Sequence, residues 1–565
     1  MAEQAVKLKN GAQWLIESLK QAEVDIIYGY PGGAVLPLYD ALYDSGVKHI
    51  LARHEQGAIH AAEGYARITG KAGVVVVTSG PGATNVVTGL ADALADSLPL
   101  VVITGQVATS VIGTDAFQEA DVVNMTSPIT KHSFQIRDAA DIPTIVAQAF
   151  TIAETGRKGP VVIDFPKDMM TAVVSQIKQV QALATYEVAT TPPVEAIAAV
   201  AQLLATSKQP VILAGAGINF ASAKSELTEF SNKMNIPVVN TLLGLGNISP
   251  SEPLAFGMAG MHGGYAANRA IYECDLLIAI GARFDDRLVG AQAHFAKDAN
   301  IVHIDIDPSE INKVFTADIG IVADAKVSLQ ALLAAVEQPA DYTAWVSRLQ
   351  AYAQQHPHGY TTNDSVAIKP QQVIEMISSL TEGRAIVATD VGQHQMWTAQ
   401  YYQFKEEHAL ISSGGLGTMG FGLPAAIGGK FAQPNRQVVA IVGDGGFQMT
   451  LQELALLTEF KLDIKVIILN NASLGMVKQW QTQFYDERYS ESVFDGQPDF
   501  VKLAEAYGIQ GERITQSEQL AEQLAAVFAI EGPVVVDVHI AQMETVTPMV
   551  PPGKGIHQME GVVGQ

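Results

Sequence analysis

The stretch Val438-Val439-Ala440-Ile441-Val442-Gly443-Asp444-Gly445-Gly446 runs an unbroken apolar segment into a glycine-rich turn. Residues 451–457 then read as a helix, and a second apolar segment at 464–469 ends in Asn470-Asn471. Apolar runs without polar alternation are buried on both faces, as in a parallel sheet covered by helices. In such a sheet the carboxyl ends of the strands share one edge, where open α/β sheets bind ligands. Asp444 brings a carboxylate oxygen to that edge and Asn471 an amide oxygen, both hard ligands suited to Mg2+ or Ca2+. Gly443, Gly445 and Gly446 let backbone N–H groups approach an anion at the start of the next helix. Either turn alone is an ordinary strand-to-helix connection. Together, at this separation, they predict a cradle for a diphosphate bridged by a divalent ion.

Short β-branched runs at 74–77, 99–104, 160–164, 211–214, 276–280, 302–306 and 534–538 alternate with Ala/Leu-rich stretches. The alternation predicts an α/β fold of doubly wound parallel-sheet domains. At 565 residues the chain has room for three or four domains of roughly 150 residues each. Polar, helix-poor stretches at 173–193 and 338–370 read as linkers, giving domains 1–175, 190–335 and 370–545 and a mobile or docking tail at 546–565. The first and third domains echo each other faintly, a similarity that generic α/β composition would also give. Ala61-Ala62-Glu63-Gly64 and Pro424-Ala425-Ala426-Ile427-Gly428 each precede a Val-rich strand, and those strands end in Ser79-Gly80-Pro81-Gly82 and Gly443-Asp444-Gly445-Gly446.

Composition narrows the function classes. Asp plus Glu number 58 against 35 Lys plus Arg, a formal net charge of −23, which disfavours nucleic acid and anionic membrane as partners. Charged residues are 16% of the chain, below a typical level of about 25%, so much of the surface is expected in cores or subunit contacts. The single cysteine, Cys274, excludes an intrachain disulfide and a thiolate metal cluster, and fits a reduced, cytoplasmic setting. Residues 1–10 lack a signal-peptide pattern, and no apolar run nears the roughly 20 residues of a membrane span.

Gly443-Asp444-Gly445 and Asn470-Asn471, separated by residues 446–469, resemble the signature of the thiamine-diphosphate (ThDP) enzymes. The resemblance implies Asp444, Asn471 and the Ser473 carbonyl as ligands of Mg2+. It also implies a partly buried carboxylate that activates the cofactor through its aminopyrimidine. Arg53-His54-Glu55-Gln56-Gly57 is similar to that activating segment and assigns the role to Glu55; without the third-domain motif, Glu55 would read as an ordinary helix-start glutamate. In this family the pyrimidine and diphosphate are held by different subunits, so at least a homodimer is implied, and a tetramer is open. Gly415-Leu416-Gly417-Thr418-Met419-Gly420 resembles the segment beneath the cofactor, with Met419 wedging its two rings.

Within that family the chain resembles the catalytic large subunits of acetohydroxyacid (acetolactate) synthases along nearly its full length. The matching segments include Tyr30-Pro31-Gly32-Gly33-Ala34, residues 54–57 and 78–85, residues 113–119, Gly260-Met261-His262-Gly263, Arg283-Phe284-Asp285-Asp286-Arg287, residues 303–308, Gly392-Gln393-His394-Gln395-Met396 and residues 474–480. They carry ThDP contacts onto Pro31, Gly82, Asn85, Gly392, Gln393, His394, Gly417 and Met476. The implied reaction decarboxylates pyruvate and condenses the two-carbon unit with a second pyruvate or 2-ketobutyrate, on the route to branched-chain amino acids. N–H groups at Gly33 and Ala34 could stabilise a developing oxyanion, and Gln118 could donate to a carbonyl or carboxylate. Trp480 offers a flat wall and Arg287 a fork for the second ketoacid; a core Trp and a surface ion pair are the alternatives. Lys167 resembles a lysine near the substrate entrance, where a solvated lysine is the alternative. In the biosynthetic type the middle domain binds FAD, and Arg157, Gly215, Thr241, Leu242, His262, Arg283, Asp305 and Asp324 match its contacts, although Ala323 stands where relatives have glycine. A small regulatory subunit is implied as a partner. Pyruvate oxidase or decarboxylase, an FAD-independent fermentative synthase and an inactive ThDP-fold scaffold are the competing readings; Glu55, Asp444 and Asn471 weigh against the last.

Overall fold

All residues of Gly73–Val77, Leu100–Gln106, Leu276–Ile280, Val438–Gly443 and Ile464–Asn470 are buried. Their Val/Ile content suits strands, because side chains stiff at χ1 lose little freedom on a pleated surface covered on both faces. The structure is a computed structural model and describes residues 8–181, 183, 188–336, 340–360 and 367–564. It contains three six-stranded sheets, parallel throughout.

In the first sheet the strands lie in the order Lys48–Leu51, Ile26–Tyr30, Gly73–Val77, Leu100–Gln106, Pro160–Pro166, His132–Gln135. In the third they run Leu410–Ile411, Ile386–Thr389, Val438–Gly443, Ile464–Asn470, Val534–His539, Gln510–Ile514. Both follow one chain order, 2-1-3-4-6-5, so the echo seen in sequence is a repeated topology. The middle sheet runs Ala255–Met258, Val238–Asn240, Pro210–Ala214, Leu276–Ile280, Asn300–Asp305, Ile319–Val322. That is order 3-2-1-4-5-6, the doubly wound arrangement that binds dinucleotides where the strand order reverses.

The two echoing helices, Glu55–Thr69 and Gly422–Ala432, pack on each other with almost no side chain between their backbones. A Cβ added at Gly64 would lie 2.0 Å from the Ala425 carbonyl oxygen, and one at Gly428 would lie 1.8 Å from that of Ala61. One hydrophobic core therefore runs through both outer domains, from Val75 and Leu100 to Ala440 and Ile464.

The expected linkers are partly structured. Val174, at the start of the first, pairs antiparallel with Lys9; residues 182 and 184–187 lie outside the described residues. The second holds a helix, Thr343–Gln355, which corrects the linker reading there. Trp345, Val346 and Leu349 make a short apolar face that polar neighbours hide in composition, and Trp345 Nε1 donates to the Pro210 carbonyl at 3.0 Å. Residues 337–339 and 361–366 lie outside the described residues. Of the two readings of the tail, docking holds: Val546, Met549 and Ile556 are buried, and the Val550 N–H donates to the Met261 carbonyl at 2.7 Å. Among the described residues no helix is long and apolar enough to cross a membrane.

Gly428→Ala should destabilise the protein by about 1–3 kcal/mol or more through overpacking against backbone. Gly496→Ala, where a Cβ meets nothing within 4 Å, should stay within about 0.5 kcal/mol. Thermal unfolding of the two variants checks the crossing.

Candidate active site

The strand register pairs Gly443 with Leu469, so Asp444 and Asn471 leave neighbouring strands about 5 Å apart at the same carboxyl edge. Asp444 opens the helix Asp444–Thr450 and is 1% exposed. Its Oδ1 accepts the Gly445 N–H at 3.0 Å and its Oδ2 accepts from Gln497. Burial pushes the carboxyl up to about 6, with the Gln497 and Gly445 hydrogen bonds pulling the other way. Asn471 donates Nδ2 to Gln393 Oε1 at 3.2 Å, which leaves its oxygen as the atom available to a cation.

A small cavity at this edge is lined by Gly392, His394, Met419, Asp444, Asn471 and Ser473. Ser473 Oγ and His394 Nε2 are buried there without a hydrogen-bond partner, and burial holds His394 neutral by lowering its pKa to about 4. Buried polar atoms are ordinarily paired. Two orphans beside a carboxylate and an amide oxygen fit a divalent cation with a phosphate ligand. A Cβ at Gly443 would press on His394 Nδ1 at 2.9 Å, and one at Gly446 on Asp390 Oδ1 at 2.5 Å. Asp390 was missed in the sequence. Fully buried, it accepts the N–H groups of Val391 (2.7 Å), Gly420 (3.0 Å) and Gly422 (3.2 Å), tying the Gly392 turn to the loop that presents Gly417 and Met419.

The first domain builds a second edge. Glu55 begins its helix, is 9% exposed, and accepts from Asn85 Nδ2 at 3.0 Å; a Cβ at Gly82 would lie 3.5 Å from its Oε1. Pro31, Gly33 and Ala34 follow the strand Ile26–Tyr30, and nothing lies within 4 Å of where a Gly33 Cβ would stand. Gln118 has a left-handed backbone, φ 61°, in a loop that Glu119 closes by accepting the N–H groups of Gly113 and Ala116. Lys167 is exposed at the end of the strand Pro160–Pro166. Glu453 is the other missed residue. Its buried carboxylate accepts the backbone N–H groups of Arg53 and His54, each at 3.1 Å, and so fixes the turn before Glu55. Glu55, Gln118 and Lys167 line neither the Asp444 cavity nor the larger one described next.

That larger cavity, about 1510 Å³, is walled by all three domains. Arg157, Thr241, Leu242, His262, Arg283, Asp305 and Asp324 all reach it, as do Gly417, Met419, Met476, Arg287 and Trp480. Gly215 does not line it: a Cβ there would lie 2.1 Å from the Gly281 carbonyl oxygen, so the close backbone packing requires glycine, and Gly217 stands on the wall. Arg283 has no hydrogen bond or ion pair among the described residues, and His262 Nδ1 is buried without a partner. Asp324 caps the helix Ala325–Ala335 through the Val327 N–H at 3.0 Å. Arg157 is bound to Ser97 Oγ (2.9 Å), Asp307 (3.2 Å) and Glu310 (2.7 Å), joining the first domain to the middle one. The volume exceeds ordinary ligand pockets of about 300–1,000 Å³ and, with a free guanidinium at the switch point, fits a dinucleotide. Trp480 is half-buried rather than core, and the Arg287 guanidinium lies 5.7 Å from its ring. Arg287 is exposed, with Asp286 Oδ2 at 3.8 Å.

A repeated α/β pair carrying a cation cradle on one member and a buried carboxylate on the other, with a dinucleotide-type domain between, defines a class of cofactor enzymes. The thiamine pyrophosphate enzyme family matches all three parts: its N-terminal TPP binding domain over residues 9–125, its central domain over 197–332 and its C-terminal TPP binding domain over 390–538. The chain is 51% identical to the acetolactate synthase large subunit of Lactococcus lactis subsp. lactis over 98% of its own length and 97% of that protein's. It is 46% identical to the acetolactate synthase isozyme 2 large subunit of Escherichia coli (97% and 99% covered) and 47% identical to a probable acetolactate synthase large subunit of Methanocaldococcus jannaschii (96% and 94%). The chain belongs to the acetolactate synthase large-subunit family of thiamine-diphosphate enzymes.

Glu453→Gln keeps the shape but removes one of the two acceptor oxygens that face Arg53 and His54. It should cost about 1–3 kcal/mol, measured by chemical denaturation.

Proposed function

We propose that this enzyme decarboxylates pyruvate and joins the two-carbon unit to a second pyruvate or to 2-ketobutyrate, giving 2-acetolactate or 2-aceto-2-hydroxybutyrate for branched-chain amino-acid synthesis. The observation that carries this reading over simple decarboxylation is Arg287 beside Trp480 on the wall of a cavity that also includes Met419 and Met476. A decarboxylase has no second ketoacid to seat. Here a guanidinium takes its carboxylate and an indole face packs its alkyl group.

Bound ThDP supplies the nucleophilic carbon and the electron sink for loss of CO2. Asp444, Asn471 and Ser473 would hold Mg2+, and Gly392, Gln393 and His394 with Gly443, Gly445 and Gly446 would frame the diphosphate. Met419 and Met476 stand over this cavity. Glu55, 9% exposed and steered by Asn85, is the carboxyl that would share a proton with the aminopyrimidine. Gln118 and the N–H groups of Gly33 and Ala34 orient the first ketoacid, and Lys167 guides it inward. The Glu55 edge and the Asp444 edge of one chain do not share a cavity, which supports active sites completed between two copies. Arg283, His262, Asp305 and Asp324 on the wall of the large cavity would hold FAD, whose role would be structural, since the reaction is redox-neutral. The relatives are named large subunits, and a small regulatory subunit is part of the same reading.

Purified protein given pyruvate, ThDP and Mg2+ should form acetolactate only when FAD is added. Acetolactate without FAD would overturn the middle-domain assignment, and CO2 without acetolactate would overturn the condensation. Glu55→Gln should keep ThDP affinity in calorimetry while kcat falls by roughly 10²–10⁴-fold; full turnover would remove the activating role.

A further inference from the structure

Gln479 is the one fully buried residue of the helix Gly475–Phe484, whose Met476 and Trp480 line the large cavity. Its amide reaches the C-terminal segment. The Val546 N–H donates to Gln479 Oε1 at 2.9 Å, and Gln479 Nε2 donates to the Val546 carbonyl at 3.2 Å. Gln393 Nε2 donates to the same Oε1 at 2.8 Å and to the Glu544 carbonyl at 3.0 Å. Gln393 Oε1 in turn accepts from Asn471 Nδ2 at 3.2 Å. The segment is anchored independently: Glu544 pairs with Lys369 and accepts from Gln371 at 2.9 Å, and the Ala541 N–H donates to the Ile368 carbonyl at 2.9 Å.

A side-chain amide can present oxygen or nitrogen in either direction, so three amides in series have no inherent polarity. Backbone groups have no such freedom. The Val546 N–H can only donate, so Gln479 must offer it oxygen; the Val546 and Glu544 carbonyls can only accept, so both glutamines must turn nitrogen to them. With its nitrogen committed, Gln393 has only oxygen left for Asn471. Asn471 must then spend its nitrogen on Gln393, and its oxygen is the end that remains for a cation. The reverse orientation would aim an amide nitrogen at the metal, where it cannot ligate.

We propose that Gln479 is a positioning residue for the metal-diphosphate site: through Gln393 it transmits the backbone polarity of residues 544–546 to Asn471 and fixes the amide oxygen toward the cation. This rests on the reading of Asp444 and Asn471 as Mg2+ ligands. It makes the C-terminal segment part of that site although it supplies no ligand, and it couples segment docking to metal affinity in both directions.

The test is Mg2+-dependent ThDP binding to the cofactor-free full-length protein, read by calorimetry, for wild type, Gln479→Met and Gln479→Glu. In Gln479→Met the Mg2+ concentration for half-maximal ThDP binding should rise about 10-fold, within the range for groups that orient metal ligands. Saturating Mg2+ should restore the wild-type ThDP affinity, since only the ligand's orientation is lost. Gln479→Glu keeps the acceptor for Val546 and Gln393 and should fall between the two, which also serves if the methionine variant does not fold. An unchanged Mg2+ requirement in both variants, or a loss of ThDP affinity that saturating Mg2+ leaves in place, would overturn the positioning role. Wild-type ThDP binding that ignores Mg2+ would instead overturn the metal reading beneath it.

Discussion

The close crossing of the helices Glu55–Thr69 and Gly422–Ala432 is the constraint on which the rest depends. Gly64 and Gly428 remove the two side chains that would hold the backbones apart, and the six-stranded sheets of the outer domains then share one core. That contact sets Glu55, at the start of one helix, relative to the loop 412–420 that leads into the other. At the crossing itself, Gly64 and Gly428 each face the partner helix's backbone rather than a side chain.

Polar groups complete what the apolar contact begins. Arg67 Nη2 donates to Asp96 at 2.8 Å, and Asp96 accepts the N–H groups of Gly414 (3.0 Å) and Gly415 (2.7 Å). Ser413 donates to Asp92 at 2.6 Å while its Oγ accepts the N–H groups of Gly417 and Thr418. The loop that presents Met419 is thus suspended from the first domain by carboxylates. Around it burial raises the Glu63 and Asp92 carboxyls well above their usual range and lowers His60 to about 4. A cluster so dry is expensive to rearrange, so it fixes the loop 412–420 in one shape.

The middle domain is joined by fewer polar ties, notably Arg157 to Asp307 and Glu310, and by the C-terminal segment, which runs over it before ending. Residues 541–564 therefore reach two places at once: Val546 and Glu544 hydrogen-bond Gln479 and Gln393 beside Asn471, while Val550 and Ile556 pack on the domain that carries Arg283 and Arg287. The two cavities share a wall at Met419 and Met476.

The sequence by itself determined the α/β class, the three sheets, the repeat of the first domain in the third, and Asp444 with Asn471, because those features are local. An apolar strand, a glycine turn and a polar side chain beside it are written in consecutive residues. The helix at 343–355 escaped because its apolar face is three residues within a polar stretch. Only the tertiary structure decided that Gly215 serves packing, that Asp390 and Glu453 hold the two edges, and that Gln479 answers to Val546. Each of those roles is a hydrogen bond or a contact between residues tens to hundreds of positions apart, and a buried acceptor gives no sign in sequence of which distant N–H it must satisfy.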